Sequence, residues 1–521
     1  GRAPLKPLEE SQRQANRELN RELVRTRSMG EVLQVAQAAG QRFNYVNTST
    51  ALHRLATLSR GRDRPRSWEL AEDTTFLSLR DLVLDQLYCM DNQALANTLW
   101  AFATLPTGCD LDLLTAYQVA ITPRLGAMAG AELSQILWAF ATMEQSLPRH
   151  VLESCVERLG AIEREVKPGE LSILVWALAK MKFRPTEKAV QTLARGCLAK
   201  MVAFTPQELS NTLWGFGSMG VYPGDELLLT VCAESCLRHG EYSASHLAQL
   251  LWGFAALNFE PDMATMNALS EEVHAQTLDF SFQGLSMVLW AYARLGLGPN
   301  HRVLDGLVQQ CHLKLPTGNV QDLTNCMWAL ATMRHYTQIG KAFLSAAWKR
   351  MGSQPLAQFS NAALSSVVNI WLAVSQELPE ETWDFADPLQ GPALKVWRAS
   401  ALEPQVSATQ EQVSQALDAM GFENVKEQLV EDGMFSVDLL IAGQRVVIEV
   451  DGPSHFTSNT KKPLGPTLLR KRLLKEYGYT VVTVPFYAWD ATECLEDRCA
   501  LLAKLLTCEV YPRVLGGVDR A

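Results

Sequence analysis

The sequence predicts a mostly α protein: an α-solenoid of 38-residue helical hairpins followed by a small α/β domain. Three observations carry this. Seven tryptophans, Trp100, Trp138, Trp176, Trp214, Trp252, Trp290 and Trp328, stand 38 residues apart without a slip. Such a period marks a tandem array in which each unit buries its apolar face against its neighbours. The residues around each tryptophan follow one helix-face pattern, as in LSNTLWGFGSM around Trp214 and LAQLLWGFAAL around Trp252. After Trp371 that pattern stops, and runs that read as strands replace it.

The first helix of each unit comes from this pattern. Leucine stands five before every tryptophan (Leu95, Leu133, Leu171, Leu209, Leu247, Leu285, Leu323). Phe, Tyr or Leu stands two after it, and only Ala or Gly one and three after it. Apolar residues at these offsets trace one helical face, and the small ones allow a second helix close approach. Nine before the tryptophan, Asp91, Thr205, Ser243, Ser281 and Asn319 are good N-caps, and Thr205 with Glu208 makes a capping box. Ala129 and Lys167 break that pattern in two units. The rest of each unit, such as RHVLESCVERLG from Arg149 or DELLLTVCAESCLRHG from Asp225, reads as a second amphipathic helix. The tryptophans, flanked by Leu and Phe, read as core packing.

The array's ends degrade, as capping units do. Upstream, NTSTALHRLATL puts His53 in the tryptophan position at a 47-residue separation, the extra nine matching GRDRPRSWE from Gly61. Downstream, LSSVVNIWLAVS places Asn369 there. Seven regular units and a degenerate one at each end are expected. The stretch LPEETWDFADPLQGPALKVWRASALEP reads as a linker with short helices.

Nearly half of the 521 residues are apolar, so the chain folds, and no apolar run reaches the roughly 18 residues of a membrane span. The eleven cysteines are scattered, which speaks for a reducing compartment and against a disulfide framework. Cys232, Cys236 and His239 share one helix, but the two cysteines fall at core positions, so no metal and no cofactor is expected. The net charge of −9 argues against unspecific nucleic-acid binding by charge alone, though not against a locally basic groove. The arginines of the first 30 residues are mixed with glutamates, and a cleaved organellar targeting peptide ahead of Gly1 is an open expectation.

In the C-terminal part, a helix from about Ala408 to Met420 precedes the strand runs VKEQLV, FSVDLLIA and QRVVIEVDG, then another helix and YTVVTVPF. Asp438 lies on one strand; Glu449 and Asp451, two apart on the next, share a face, with His455 nearby. Carboxylates so gathered can hold a divalent ion for phosphodiester hydrolysis. Lys461 and Lys462, then Arg470, Lys471, Arg472 and Lys475 of LLRKRLLKEYGY, form a basic stretch that suits a phosphate backbone or is simply a solvated helix face.

On the first helices, positions −3, +1 and +4 from the tryptophan fall on one line. Position −3 holds Asn97, Gln135, Ile173, Asn211, Gln249, Met287 and Asn325; position +4 holds Thr104, Thr142, Lys180, Ser218, Ala256, Arg294 and Thr332. A polar amide, a gap and a variable polar residue, repeated, can contact one base per unit, as helical-repeat RNA binders do. Alternatively, the amides satisfy backbone groups between neighbouring hairpins.

The phrases LANTLWAFATL, LSQILWAFATM and LSNTLWGFGSM, at this period, resemble octotricopeptide repeats over residues 28 to 373. Residues 435 to 489, with VDLL around Asp438, VVIEVDGPSHF, the LLRKRLLKEYGY helix and VVTVPFYAWD, resemble a RAP domain, itself similar to a reduced restriction-endonuclease fold of the PD-(D/E)xK type. That pattern wants lysine two after Glu449, where Asp451 stands. Cleavage by Asp438, Glu449, Asp451 and His455 is therefore the lesser expectation. Composition, pattern and resemblance together predict an N-terminal extension over 1–27, the repeats over 28–373, a linker over 374–406 and a RAP-containing domain over 407–521. It implies an organellar protein, in the mitochondrial matrix or chloroplast stroma, that binds single-stranded RNA in RNA processing, stability or translation. The alternatives are a structural component of an organellar ribosome that binds rRNA, a repeat-guided metal-dependent ribonuclease, and a solenoid that binds only proteins. Ribosomal proteins or other RNA-processing factors are the expected further partners, without membrane insertion.

Overall fold

Each regular unit folds as a helix pair because its apolar positions recur on two successive amphipathic segments. In this computed structural model, residues 7–60, 70–384, 387–401 and 406–510 are described. The GRDRPRSWE insertion, part of the expected linker and the last eleven residues lie outside them. The chain falls into two units, residues 1–234 and 235–521.

In the first unit, α1 (Pro7–Arg25), α2 (Met29–Ala39), α3 (Tyr45–Leu58) and α4 (Thr74–Gln86) precede the regular repeats. The tryptophan helices are α5 (Asn92–Thr104), α7 (Gly130–Thr142), α9 (Pro168–Lys180) and α11 (Pro206–Met219). Between them run α6 (Leu111–Ile121), α8 (Arg149–Ala161) and α10 (Glu187–Leu198), and α12 (Asp225–Leu237) follows. First helices pack on first helices of the next repeat (α3 on α5, then α7, α9 and α11), and α8 packs on α10. Two parallel layers of helices result.

The second unit continues with α13 (Ala244–Ala256), α14 (Met263–Ala275), α15 (Phe282–Arg294), α16 (His301–Lys314), α17 (Val320–Met333), α18 (Gln338–Gly352) and α19 (Asn361–Glu377). Here α13, α15, α17 and α19 form one layer and α14, α16 and α18 the other. Part of the expected linker is a well-formed helix, α20 (Asp387–Ala401), packed on α19, with Leu389 and Ala393 buried.

Caps hold the first helices as the sequence predicts. The side chains of Asp91, Thr205, Ser243, Ser281 and Asn319 each accept a backbone N–H from the first turn. Where Ala129 and Lys167 cannot, Glu132 and Glu170 accept the N–H of those residues at 2.8 and 3.0 Å, half of a capping box. The other end repeats too. Glu144, Lys182, Gly220, Asn258, Gly296 and Arg334, each six after its tryptophan, have φ between 53° and 66°. The next N–H (Gln145, Phe183, Val221, Phe259, Leu297, His335) donates back to the carbonyl two after the tryptophan, the bond of a Schellman motif.

The small residue one after the tryptophan is required by backbone approach. A Cβ on Gly215 would stand 2.6 Å from Val175 Cγ1 and 3.1 Å from Val175 O. This corrects the reading of the tryptophans as core. Trp100, Trp138, Trp176, Trp214, Trp252 and Trp290 are half-buried, and Trp328 alone of the seven is buried. First helices this close leave no room for an indole between them. Rings sit along the seam instead: His53 to Trp100 (4.9 Å between centroids), Trp100 to Trp138 (6.5 Å) and, in the second unit, Trp252 to Trp290 (6.0 Å). His53 thus takes the tryptophan's place in the degenerate first repeat.

After α21 (Ala408–Ala419), β1 (Asn424–Val430), β2 (Phe435–Ile441), β3 (Val446–Asp451) and β4 (Thr480–Pro485) form one sheet in that order. β1–β2 and β2–β3 are antiparallel; β3–β4 are parallel, joined through α22 (Gly465–Glu476). The short α23 (Phe486–Trp489) and then α24 (Leu495–Val510) follow. One sheet face, with Leu439, Ile441, Ile448, Val482 and Val484, packs on Val413 and Leu417 of α21 and Leu502 of α24. The opposite face carries Asp438, Glu449 and Asp451.

Candidate nucleic-acid interface

Position −3 is half-buried in every repeat, in both units. One pair touches across repeats: Gln135 Nε2 donates to Asn97 Oδ1 at 3.3 Å, 38 residues away, and Gln93, four before Asn97, donates to the same oxygen at 2.9 Å. Gln321 donates to Asn325 Oδ1 at 2.9 Å. These bonds order the amides of repeats one, two and seven, while Ile173 and Met287 place apolar groups at the same half-buried position.

Position +4 divides by repeat. Thr104 is half-buried, with its hydroxyl oxygen buried and lacking a hydrogen-bond partner. Thr142, Lys180 and Ser218 are exposed. Lys180 Nζ lies over the rings of Trp176 (5.8 Å) and Trp214 (5.4 Å), a cation held on an aromatic seam. In the second unit Ala256 carries no polar group, Arg294 donates to Asn258 Oδ1 through Nε (3.2 Å) and Nη2 (3.0 Å), and Thr332 is buried.

The basic stretch of the C-terminal domain is largely engaged within the protein. Arg470 forms a fork with Glu449, Nε to Oε2 and Nη2 to Oε1 both at 3.0 Å, and donates to the Ser436 carbonyl. Lys471 and Lys475 reach Glu509 at 2.7 and 3.3 Å. Lys462 reaches Glu260 at 2.7 Å. Arg472 donates to the carbonyls of Thr332 (2.8 Å) and Ala331 (2.5 Å), and pairs with the buried Glu377 at 2.7 Å. Lys461 is exposed, with its Nζ donating to Ser458 O and lying 5.7 Å from the Phe486 ring.

The carboxylate face does not fit a divalent ion. Arg470 already neutralises Glu449, filling the place a metal would take. Asp438 Oδ2 accepts the Val450 N–H at 2.6 Å, and Asp451 Oδ1 lies 3.1 Å from His455 Nδ1, with its other oxygen buried and without a partner. Burial, then the Glu449 charge, pushes the Asp438 carboxyl up to about 6; burial likewise raises Glu449 and Asp451 against the pull of Arg470 and His455. Among the described residues, no group of three or more His, Cys, Asp or Glu side chains is placed to hold a metal ion. No hydrolytic step is therefore derived for this face. The residue that decides this, Arg470, was legible only as part of a basic helix.

The architecture is that of a helical-repeat array ending in a small α/β module, and the comparisons with known proteins agree. Residues 448–505 match the RAP domain, so the chain carries a RAP domain at its C-terminus. Residues 144–335, within the repeats, match the family described as Tbc2 translation factor, N-terminal domain. A protein described as "RAP domain-containing protein, chloroplastic" from Oryza sativa subsp. japonica is 26% identical over 181 residues, 32% of this chain and 27% of the relative. The matched segment thus spans little more than a quarter of that relative. Among the described residues, no helix is long and apolar enough to cross a membrane.

Proposed function

We propose that this protein binds single-stranded RNA in an organelle, through the polar stripe of its first helices, and acts in RNA processing, stability or translation. The observation that carries the reading is the open face of position −3, repeated every 38 residues beside a seam of half-exposed tryptophans. The five amides at this position, Asn97, Gln135, Asn211, Gln249 and Asn325, offer both donors and acceptors to base edges, and aromatic rings tolerate any base face. The RAP domain, the match of the repeats to a translation-factor domain and the chloroplastic relative support the organellar RNA reading. The resemblance to octotricopeptide repeats points the same way.

The test is selection from a randomised single-stranded RNA pool, followed by binding titrations. One short motif should be enriched and bound saturably, with duplex RNA competing poorly. Equal binding to unrelated sequences of equal length removes the proposal. Crosslinking of the endogenous protein and sequencing of the attached RNA then separates messenger or intron targets from rRNA.

A further inference from the structure

The RAP domain and the last three regular repeats belong to the same unit, and the contacts between them recur with the repeat. The loop before α22 seats on the end of α13. Ser458 N donates to Asn258 O (2.7 Å), and Asn459 bonds both the N–H and the carbonyl of Glu260 (3.0 and 2.8 Å). Thr460 and Lys462 hold the Glu260 carboxylate at 2.6 and 2.7 Å. At the end of α15, α22 begins against backbone: a Cβ on Gly465 would stand 1.9 Å from Ala293 O, and one on Gly296 would stand 3.1 Å from Leu468 Cδ1. At the end of α17, Arg472 caps the Ala331 and Thr332 carbonyls, and Arg334 lies 3.8 Å from Glu476. Asn258, Gly296 and Arg334 are the left-handed residue of three consecutive repeats. Exposure does not mark them out: Gly296 and Arg334 are exposed, as are their first-unit counterparts Glu144, Lys182 and Gly220, and only Asn258 is half-buried.

We infer that the RAP domain is a clamp on the ends of repeats five to seven, and that reading of RNA by position +4 is confined to repeats two to four. This rests on the RNA-binding reading above and narrows it. Repeat five offers no polar group at +4, the Arg294 guanidinium of repeat six is directed to Asn258, and Thr332 of repeat seven is buried near Gly465. In repeats two to four the same position is exposed and polar. The basic residues Lys462 and Arg472 therefore hold protein in place of phosphate.

The experiment repeats the RNA selection with the full chain carrying Thr142→Val, Ser218→Ala, Thr332→Val or Arg294→Gln, with folding checked by thermal melting. Thr142→Val and Ser218→Ala should each weaken binding to the wild-type motif by about three- to tenfold and relax the base chosen at one position. Thr332→Val, isosteric and internal, and Arg294→Gln should leave the selected motif unchanged. Altered base choice with Thr332→Val or Arg294→Gln, or an unchanged motif with both first-unit variants, overturns the inference while leaving RNA binding intact. Absence of any motif from the wild-type chain overturns the underlying reading instead.

Discussion

At the scale of the residue, the acidic face of the RAP domain shows how burial changes what a carboxylate can do. Glu449 is 7% exposed and keeps its charge partner in Arg470; Asp438 has only the Val450 N–H and the more distant field of that guanidinium. Its carboxyl is raised from 3.8 to about 6, so the fold favours the protonated form. The stabilisation this provides is complete below pH 3.8 and is lost as pH rises through about 6. A carboxamide in place of this carboxyl would accept the same N–H without ionising. Asp438→Asn should therefore be more stable than wild type by about 2–3 kcal/mol at pH 8 and lose that advantage towards pH 4. Urea unfolding across this range reads the difference. An advantage independent of pH would show that the charge of Asp438 is not the cause.

At the scale of the element, the repeat is built by what lies one residue beyond the tryptophan. Three repeats of the first unit carry alanine there, Ala101, Ala139 and Ala177, while Gly215 faces the β-branched Val175 of the preceding helix. Gly215→Ala should cost about 1–3 kcal/mol through overpacking, despite alanine's better helix propensity. Adding Val175→Ala should recover much of that loss, so a double-mutant cycle in denaturant gives a coupling of at least about 0.5 kcal/mol. Additive effects would mean that the two helices do not meet at this pair. The hairpins, most caps and all four strands were legible in the sequence, because periodicity and cap chemistry are local. The setting of the tryptophans was not. A period of 38 and apolar neighbours are the same for a core residue and a seam residue, and only the helix separation tells them apart. The left-handed helix ends went unread: Gly220, Asn258 and Gly296 carry a local signal for them, whereas Glu144, Lys182 and Arg334 carry none.

At the scale of the whole molecule, the use of charge is what the sequence concealed. Lysines and arginines along one helix suit phosphate, a solvated surface or internal ion pairs equally well. The choice was made by residues far away, Glu260 and Glu377 in the repeats and Glu509 in the last helix. With the chain at net charge −9 and much of its own basic helix spent internally, the C-terminal domain offers few of its helix cations to a phosphate chain. Binding should then depend on contacts to bases more than on counterion release, which contributes a slope of about −0.7 per phosphate contacted on a single strand. For two to four such contacts, log K against log salt should fall with a slope of roughly −1.5 to −3. Lys180→Gln, which removes an exposed cation from the tryptophan seam, should make that slope shallower by about 0.7. Lys462→Gln, which removes one held by Glu260, should leave it unchanged. Titrations from about 50 to 300 mM KCl, the range over which counterion release is read, measure both. A wild-type slope of about −6 or steeper would mean that phosphate neutralisation dominates, and that the basic residues leave their internal partners when RNA binds.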